Sequence, residues 1–454
     1  MDRLWNGRDI RILGLGKTGE TLLRHASSQG GRCTVFDTRT HLDSREWEQR
    51  YPEATFHFGP LDANALTGAD LILSSPGLSP QLPAIARARA EGIPVVGDIE
   101  LFGQLAQAPV AAITGSNGKS TVTTLLGEMA RAAGWHTAVG GNLGTPALDL
   151  LPGPGEPSPA LYVIEVSSFQ LHYTQSFHPR VSAILNLSPD HLDWHGDYDS
   201  YIRDKLRVFR NMGPEDTLVL NGEDTRLLQS AGKPAAGPRV RHFGGIGKPD
   251  GWIHDGHLHL QETGPLVAAE SLKIRGRHNL ENALAAALMA RALGIPAGPV
   301  RQALQEFPGL PHRLQWVGQV HGTDYYDDSK GTNLGASLRA MAALPGPLVL
   351  ILGGDAKGAD LSPLRAACAG HRGAVLLGRD ADHLAAVLEG ALPLRHAGRQ
   401  GMETAVALAA ELARPGDQVL LSPACASTDM FQDYQDRGRQ FARAVAALGE
   451  ARHA

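Results

Sequence analysis

The stretch Thr114-Gly115-Ser116-Asn117-Gly118-Lys119-Ser120-Thr121 follows an apolar run, Val110-Ala111-Ala112-Ile113. It precedes a helical pattern with Val122, Leu125, Leu126, Met129, Ala130 and Ala133 on one face. Strand, glycine-rich turn and helix in that order read as a phosphate-binding loop. The glycines let backbone N–H groups close around phosphate oxygens, and the helix N-terminus adds partial positive charge. Lys119 then reaches the terminal phosphates, and the Ser120 hydroxyl suits Mg²⁺. A plain glycine-rich turn capped by Ser or Thr is the competing reading, and the strand–GK[ST]–helix context argues against it. The loop is short: only Ser116 and Asn117 separate Gly115 from Gly118, where the common pattern has four residues. A standard GTPase or kinase is therefore not the default.

At 454 residues the chain exceeds one ordinary core, and two to four domains are expected. A net charge of −5 excludes a broad basic face for nucleic acid, so anionic ligands need local sites. Cys33, Cys368 and Cys425 are far apart and offer neither a disulfide framework nor metal spacing, which suits a reducing cytosol. Residues Met1–Asn6 open no signal-peptide core, and no apolar run reaches the ~18 residues of a membrane span. A cytoplasmic location is expected.

Around the loop, strands alternate with helices. Ile10–Leu13, Cys33–Phe36, Leu71–Leu73 and Val95-Val96 read as strands of a first unit, with helices at Thr18–Ser28 and Leu82–Glu91. Leu161–Ile164, Val181–Asn186 and Thr217–Leu220 continue the central unit, and 231–262 reads as an irregular or β-rich excursion. A helix is expected from Asn279 to Leu293. After a linker at Phe307–Pro311 come Leu348–Leu352, Ala374–Leu377 and Gln418–Leu421. The expected fold is α/β, with three consecutive domains: a Rossmann-like one over 1–97, a P-loop ATPase-like one over 98–309 and a Rossmann-like one over 310–454.

Gly14-Leu15-Gly16-Lys17-Thr18-Gly19 matches G-x-G-x-x-G, with Asp37 near the spacing of a ribose-binding acid. Alone it suggests a dinucleotide, yet a redox enzyme has no need of the phosphate loop. Glu165 ends an apolar strand, where a carboxylate beside such a loop meets Mg²⁺. Asp190 and His191 follow another strand. His191 is a candidate metal ligand or acid–base group, or simply structural. Lys205, by periodicity, is a solvated helix lysine. Three polar loops, Asp327–Asn333, Leu352–Asp360 and Leu421–Ser427, follow strands of the third domain and suggest a substrate rim.

Taken together these stretches resemble the Mur ligase family. SSPGLSP (from Ser74), TGSNGKST, EVSSFQL (from Glu165), NLSPDHLDWHG (from Asn186), KLRVF (from Lys205), GRHNLENALAA (from Gly276), LPHRLQ (from Leu310), DDSKGTN (from Asp327), LGGDAKGAD (from Leu352) and LSPACASTDMF (from Leu421) occur in that family's order. DSKGTN and SPACAS point to the member that adds D-glutamate to UDP-N-acetylmuramoyl-L-alanine, and the GHHP and DNPR motifs of sister ligases are lacking.

The resemblance implies roles. The first domain would hold the UDP moiety through Lys17, Thr18, Asp37, Thr38, Arg39, Ser75 and Gly77, with Asn142 at the substrate pyrophosphate. ATP would meet Gly115, Asn117, Gly118, Lys119, Ser120, Thr121, Asn279, Asn282, Arg313 and Asp328. Ser120 and Glu165 would bind one Mg²⁺; His191 and Lys205, carbamylated, would support a second. Lys119, Glu165, His191 and Lys205 form the implied catalytic set. D-Glutamate would meet Lys330, Thr332, Lys357, Ser427 and Tyr434, the last standing where the family commonly has Phe. The implied chemistry passes through an acyl phosphate in peptidoglycan precursor synthesis, with domain closure excluding water. A monomer is expected, with no nucleic-acid partner. A folylpolyglutamate-synthase-like ligase and a non-catalytic nucleotide-sensing regulator are the alternatives.

Overall fold

A computed structural model describes residues 5–232, 237–245, 249–274 and 276–450. It contains three sheets. The first joins β1 (Asp9–Leu13), β2 (Arg32–Asp37), β3 (Thr55–Phe58), β4 (Leu71–Ser74) and β5 (Val95–Val96) in the order β3-β2-β1-β4-β5. The second holds β6 (Val110–Thr114), β7 (Thr137–Gly141), β8 (Leu161–Glu165), β9 (Val181–Ile184) and β10 (Thr217–Asn221). It continues with β11 (Arg239–Phe243), β12 (Gly251–His254), β13 (His257–Leu260) and β14 (Gly264–Ala268). Its order is β14-β13-β12-β11-β10-β9-β6-β8-β7. The third joins β15 (Gln315–Val320), β16 (Thr323–Asp327), β17 (Leu348–Gly353), β18 (Gly373–Leu377), β19 (Leu394–Gly398) and β20 (Gln418–Leu421) as β15-β16-β20-β17-β18-β19. The α/β architecture expected from the alternation of elements is the one adopted.

The strands at the sheet centres read as unbroken apolar runs for a physical reason. Every residue of β6, β8, β9, β17 and β18 is buried, because helices cover both faces of a parallel sheet. The helix Lys119–Ala132 lays Val122, Leu125, Leu126, Met129 and Ala130 into this core. Edge strands carry a weaker signal. β3, β15 and β19 are half exposed and polar, which is why periodicity alone passed over them. The 231–262 segment is β-rich where described, with β12, β13 and β14 antiparallel.

By contacts the chain divides into two compact units: Met1–Ser271 with Glu281–Gln305, and Leu272–Leu280 with Glu306–Ala454. In the first unit a continuous core runs from Ile12 and Leu22 through Phe102 to Tyr162 and Ile184, joining the first two sheets. Polar ties reinforce it. Gln170 Nε2 donates to Asp98 Oδ2 at 2.9 Å, and Glu100 accepts the Gln175 N–H at 2.7 Å. In the second unit, β16, β20 and β17 are parallel neighbours, so the loops that leave them emerge side by side. Among the described residues no helix is long and apolar enough to cross a membrane.

The glycine-rich turn after β1 shows how tightly the first sheet is built. β1 lies between β2 and β4, at a topological switch point. A Cβ on Gly19 would stand 1.8 Å from the Gly14 carbonyl oxygen, so only glycine lets the helix start so close to the strand. Gly19→Ala is expected to destabilise the protein by about 2 kcal/mol through overpacking, read as a lower thermal unfolding midpoint.

Candidate active site

In the first unit β6 lies between β8 and β9. The phosphate loop leaves β6, Glu165 ends β8, and Asn186–His191 follows β9. The topology therefore gathers all three at a switch point, where open α/β sheets bind ligands. The loop is braced from the β9 side. Asn186 accepts the Asn117 N–H at 2.9 Å and returns its amide to the Asn117 carbonyl at 3.0 Å. The Ser116 hydroxyl accepts the Ser188 N–H at 2.9 Å and lies 2.8 Å from the Tyr201 hydroxyl. Gly118 turns the chain into the helix at φ +87°, and a Cβ there would stand 2.3 Å from Asn282 Oδ1. Asn282 thus packs directly on the loop.

Two lysines converge on one oxygen. Lys119 Nζ and Lys205 Nζ each donate to the Gly115 carbonyl at 2.9 Å, and Lys119 also donates to the Ser116 carbonyl at 3.0 Å. Lys205 is only 2% exposed, its ammonium 4.6 Å from the centre of the Tyr201 ring. This corrects the solvated reading of Lys205. The helix Tyr198–Leu206 buries Tyr201, Ile202, Asp204 and Lys205, and Lys205 lies one helical turn beyond Tyr201 on the same face. Burial, and then the charge of Lys119, draw the Lys205 pKa well below its ordinary value; Asp190, Glu165 and Asp204 pull the other way.

Glu165 is buried. Its Oε1 accepts the Asn142 amide at 2.7 Å, while its Oε2 is buried without a hydrogen-bond partner. An orphaned carboxylate oxygen beside a phosphate loop suits a divalent cation. Among the described residues no three His, Cys, Asp or Glu side chains are placed to hold a metal ion. His191 takes a left-handed conformation at φ +54°, with its ring 4.7 Å from that of Phe169 and its side chain 38% exposed.

Behind Lys205, Asp204 gathers His172 at 3.0 Å, His195 at 3.1 Å and Arg207 at 3.1 Å. His195 reaches on to the Ser168 hydroxyl at 3.0 Å. Burial opposes the Asp204 charge, but the hydrogen bonds with His172 and His195 win and bring its pKa down to about 2. At the first sheet, Asp37 accepts the Leu15 N–H at 2.7 Å and two bonds from the Arg39 side chain at 2.9 and 2.8 Å. Burial works against that carboxylate, yet Arg39 and Leu15 hold it below the usual range. Ser75 lies against Gly14 across the switch point, and Lys17 and Thr18 open the following helix.

The second unit carries the three rim loops. Lys330 Nζ sits 3.9 Å from the centre of the Tyr434 ring, so the ring expected there supports a lysine. Burial pushes Asp328 up to about 7 even though Ser422 donates to it at 2.7 Å; Arg313 also opposes the shift. Lys357 is exposed at φ +52°, and Ser427 is buried. Thr332 donates its N–H to the Lys330 carbonyl at 2.8 Å.

This chain matches the MurD-like N-terminal domain of Mur ligases over residues 8–97, the Mur ligase middle domain over 113–290 and the Mur ligase glutamate ligase domain over 312–425. The chain belongs to the Mur ligase family. It is 47% identical over 448 residues to the UDP-N-acetylmuramoylalanine–D-glutamate ligase of Pseudomonas syringae pv. syringae (strain B728a), covering 96% of this chain and 97% of that one. It is 45% identical over 446 residues to the enzyme of the same name from Nitrosococcus oceani, covering 96% and 95%. Solved Mur ligases share the fold. The UDP-N-acetylmuramate–alanine ligase of Thermotoga maritima superposes with a TM-score of 0.60 at 19% identity, over 97% of this chain and 99% of that one. The MurF ligase of Thermotoga maritima in complex with ADP gives 0.58 at 15% identity, over 100% and 97%.

Within this Mur ligase fold the structure brings Gly115, Asn117, Gly118, Lys119, Ser120, Thr121, Glu165, Lys205 and Asn282 together around one loop. Asn279, Arg313, Asp328, Lys330, Thr332, Lys357, Ser427 and Tyr434 belong to the second unit. Three important residues escaped sequence reasoning. Asn186 was read as the end of an apolar strand and the start of the NLSPDHLDWHG stretch, with no bracing role. Tyr201 was given no role. Arg437, in the helix Tyr434–Glu450, drew no reading either, and it is fully buried. Its guanidinium donates to the Ser329 hydroxyl at 2.9 Å, the Ser329 carbonyl at 2.8 Å and the Cys425 carbonyl at 3.2 Å.

Asp204→Asn removes the carboxylate that anchors the Lys205 helix. Because the folded-state pKa is depressed from 3.8 to about 2, the group contributes stability above pH ~4 that disappears as pH falls through 2. The variant is expected to lose about 2 kcal/mol in denaturant unfolding at pH 7, with the difference from wild type shrinking below pH 3.

Proposed function

We propose that this chain is an ATP-dependent ligase that joins D-glutamate to UDP-N-acetylmuramoyl-L-alanine in peptidoglycan precursor synthesis, acting as a monomer in the cytoplasm. The observation that carries the reading is the likeness to UDP-N-acetylmuramoylalanine–D-glutamate ligases at 47% identity across 96% of the chain. A MurD-like N-terminal domain distinguishes this chain from a folylpolyglutamate-type ligase.

In this reading the L-alanyl carboxylate attacks the γ-phosphorus of ATP and ADP leaves. The D-glutamate amine then attacks the acyl carbon, phosphate leaves, and the amine gives up its proton. Gly115, Asn117, Gly118, Lys119, Ser120 and Thr121 cradle the polyphosphate. Asn279, Asn282, Arg313 and Asp328 complete the nucleotide contacts. Ser120 and Glu165 would hold one Mg²⁺ and His191 and Lys205 a second, and such ions would supply positive charge between carboxylate and polyphosphate. Lys119 leaves the loop carbonyls to meet the phosphates, where its charge offsets the repulsion of two anions in a dry site. Lys17, Thr18, Asp37, Thr38, Arg39, Ser75 and Gly77 hold the uridine diphosphate, with Asn142 beside it. Asp37 acts in part by orienting Arg39. Lys330, Thr332, Lys357, Ser427 and Tyr434 position D-glutamate.

The setting of Lys205 supports its carbamylation. Burial favours the neutral amine, which is the form that attacks CO₂. A nitrogen–carbon bond forms, one proton departs, and the side chain becomes an oxygen donor of opposite charge. The repulsion between Lys119 and Lys205 then turns into attraction.

Phosphate release is expected only with ATP, UDP-N-acetylmuramoyl-L-alanine and D-glutamate all present; release that ignores the amino acid, or prefers another from a panel, would overturn the reading. Lys205→Ala is expected to lose nearly all activity, on the order of a thousandfold, and to regain part of it with a short carboxylic acid. Full activity in the unrescued variant would exclude the metal-supporting role.

A further inference from the structure

We propose that a cavity in the first unit binds the phosphate group of a small anionic molecule through Arg89, Arg203, Arg207 and the indole N–H of Trp194. The cavity has a volume of about 340 Å³, and every residue that lines it belongs to that unit. Its size reaches the lower range of small-molecule pockets. The helix Tyr198–Leu206 separates it from the phosphate loop. Tyr201 and Lys205 bond to that loop, whereas Arg203, two residues from each, stands about 200° around the helix axis from them. Arg207 follows Arg203 by four residues and lines the same cavity. No residue of the phosphate loop lines it, and neither do Glu165, His191 or Lys205. The site is therefore distinct from the candidate active site.

The charge of the lining suits an anion. Three guanidiniums stand against one carboxylate, Asp204, which His172, His195 and Arg207 already engage. Arg89 donates to His172 Nε2 at 3.3 Å and Arg203 to the Ser200 hydroxyl at 2.7 Å, so among the described residues neither is paired with a carboxylate. A guanidinium only donates, so His172 Nε2 accepts and its Nδ1–H turns to Asp204. Arg207 is fixed by Asp204 at 3.1 Å and by the Thr174 carbonyl at 3.2 Å. Trp194 is the observation that points to a ligand. It is 6% exposed, with its ring held by His195 at 4.5 Å, Phe169 at 4.6 Å and His172 at 5.3 Å. Its indole N–H is buried without a hydrogen-bond partner. An orphaned buried donor costs stability unless something accepts from it. Arg89 comes from the helix Pro83–Ala90, Trp194 from Leu192–His195 and Arg203 from Tyr198–Leu206, so the donors come from three separate elements. The oxygens of a phosphate point in different directions and can meet such donors together, while the two of a carboxylate lie in one plane. The cavity exceeds a bare phosphate and leaves room for the organic part of a phosphate monoester.

The test titrates the full chain with inorganic phosphate and follows the indole N–H resonances of its six tryptophans by nitrogen-15 NMR. The Trp194 signal, assigned by its loss in Trp194→Phe, is expected to shift saturably with phosphate and not with chloride or acetate at equal ionic strength. The apparent affinity is expected to fall at least about tenfold in Arg89→Ser/Arg203→Ser, whose two arginines are exposed, and in Arg203→Ser alone to fall by less. The shift is expected to persist in Lys119→Ala, which disables the phosphate loop. A Trp194 signal that does not move, that moves equally with chloride or acetate, that keeps its affinity in the double arginine variant, or that stops responding in Lys119→Ala would overturn the proposal.

Discussion

The carbonyl oxygen of Gly115 receives two lysine side chains, and much of the first unit is arranged around that convergence. Two ammonium groups on one acceptor repel each other, and in a poorly solvated pocket the repulsion is several-fold stronger than in water. The fold answers by burying only one of them. Lys119 stays partly accessible, while Lys205 is sealed against Tyr201 and driven toward its neutral form. The loop that presents the shared carbonyl must then be rigid. Asn186, Ser188 and Tyr201 bond to it, and Asn282 packs against Gly118.

Much of this was legible in the sequence. Central strands announced themselves as apolar runs because both faces of a parallel sheet are covered. The polar loops after them were recognisable because ligand sites collect at strand C-termini. What could not be seen was burial of charge. Lys205 occupies a helix position that periodicity assigns to solvent, Arg437 drew no reading at all, and the three-dimensional neighbours show both to be buried. Asp37 illustrates a subtler gap. Its spacing suggested a ribose contact, but not that its carboxylate also accepts bonds from Leu15 and Arg39. Edge strands such as β3 and β19 were missed because half of each faces water and leaves no pattern.

The two units also differ in how they organise their loops. The phosphate loop is stiffened by several separate polar contacts from a neighbouring strand end. The rim of the second unit relies on a long-range device, a side chain from the C-terminal helix inserted beneath loops that are otherwise separate in sequence.

That device is Arg437. One guanidinium bonds to the backbone of the loops after β16 and β20 at once. Burial has drawn its pKa down to about 10, which still leaves it charged at neutral pH. The loops are in effect hung from a single peg. An insertion in one of them would drag the other, so neither loop can be lengthened without disturbing its neighbour. The freedom left to the pair lies in side chains that project away from the peg, whose tips can be exchanged while the roots stay fixed.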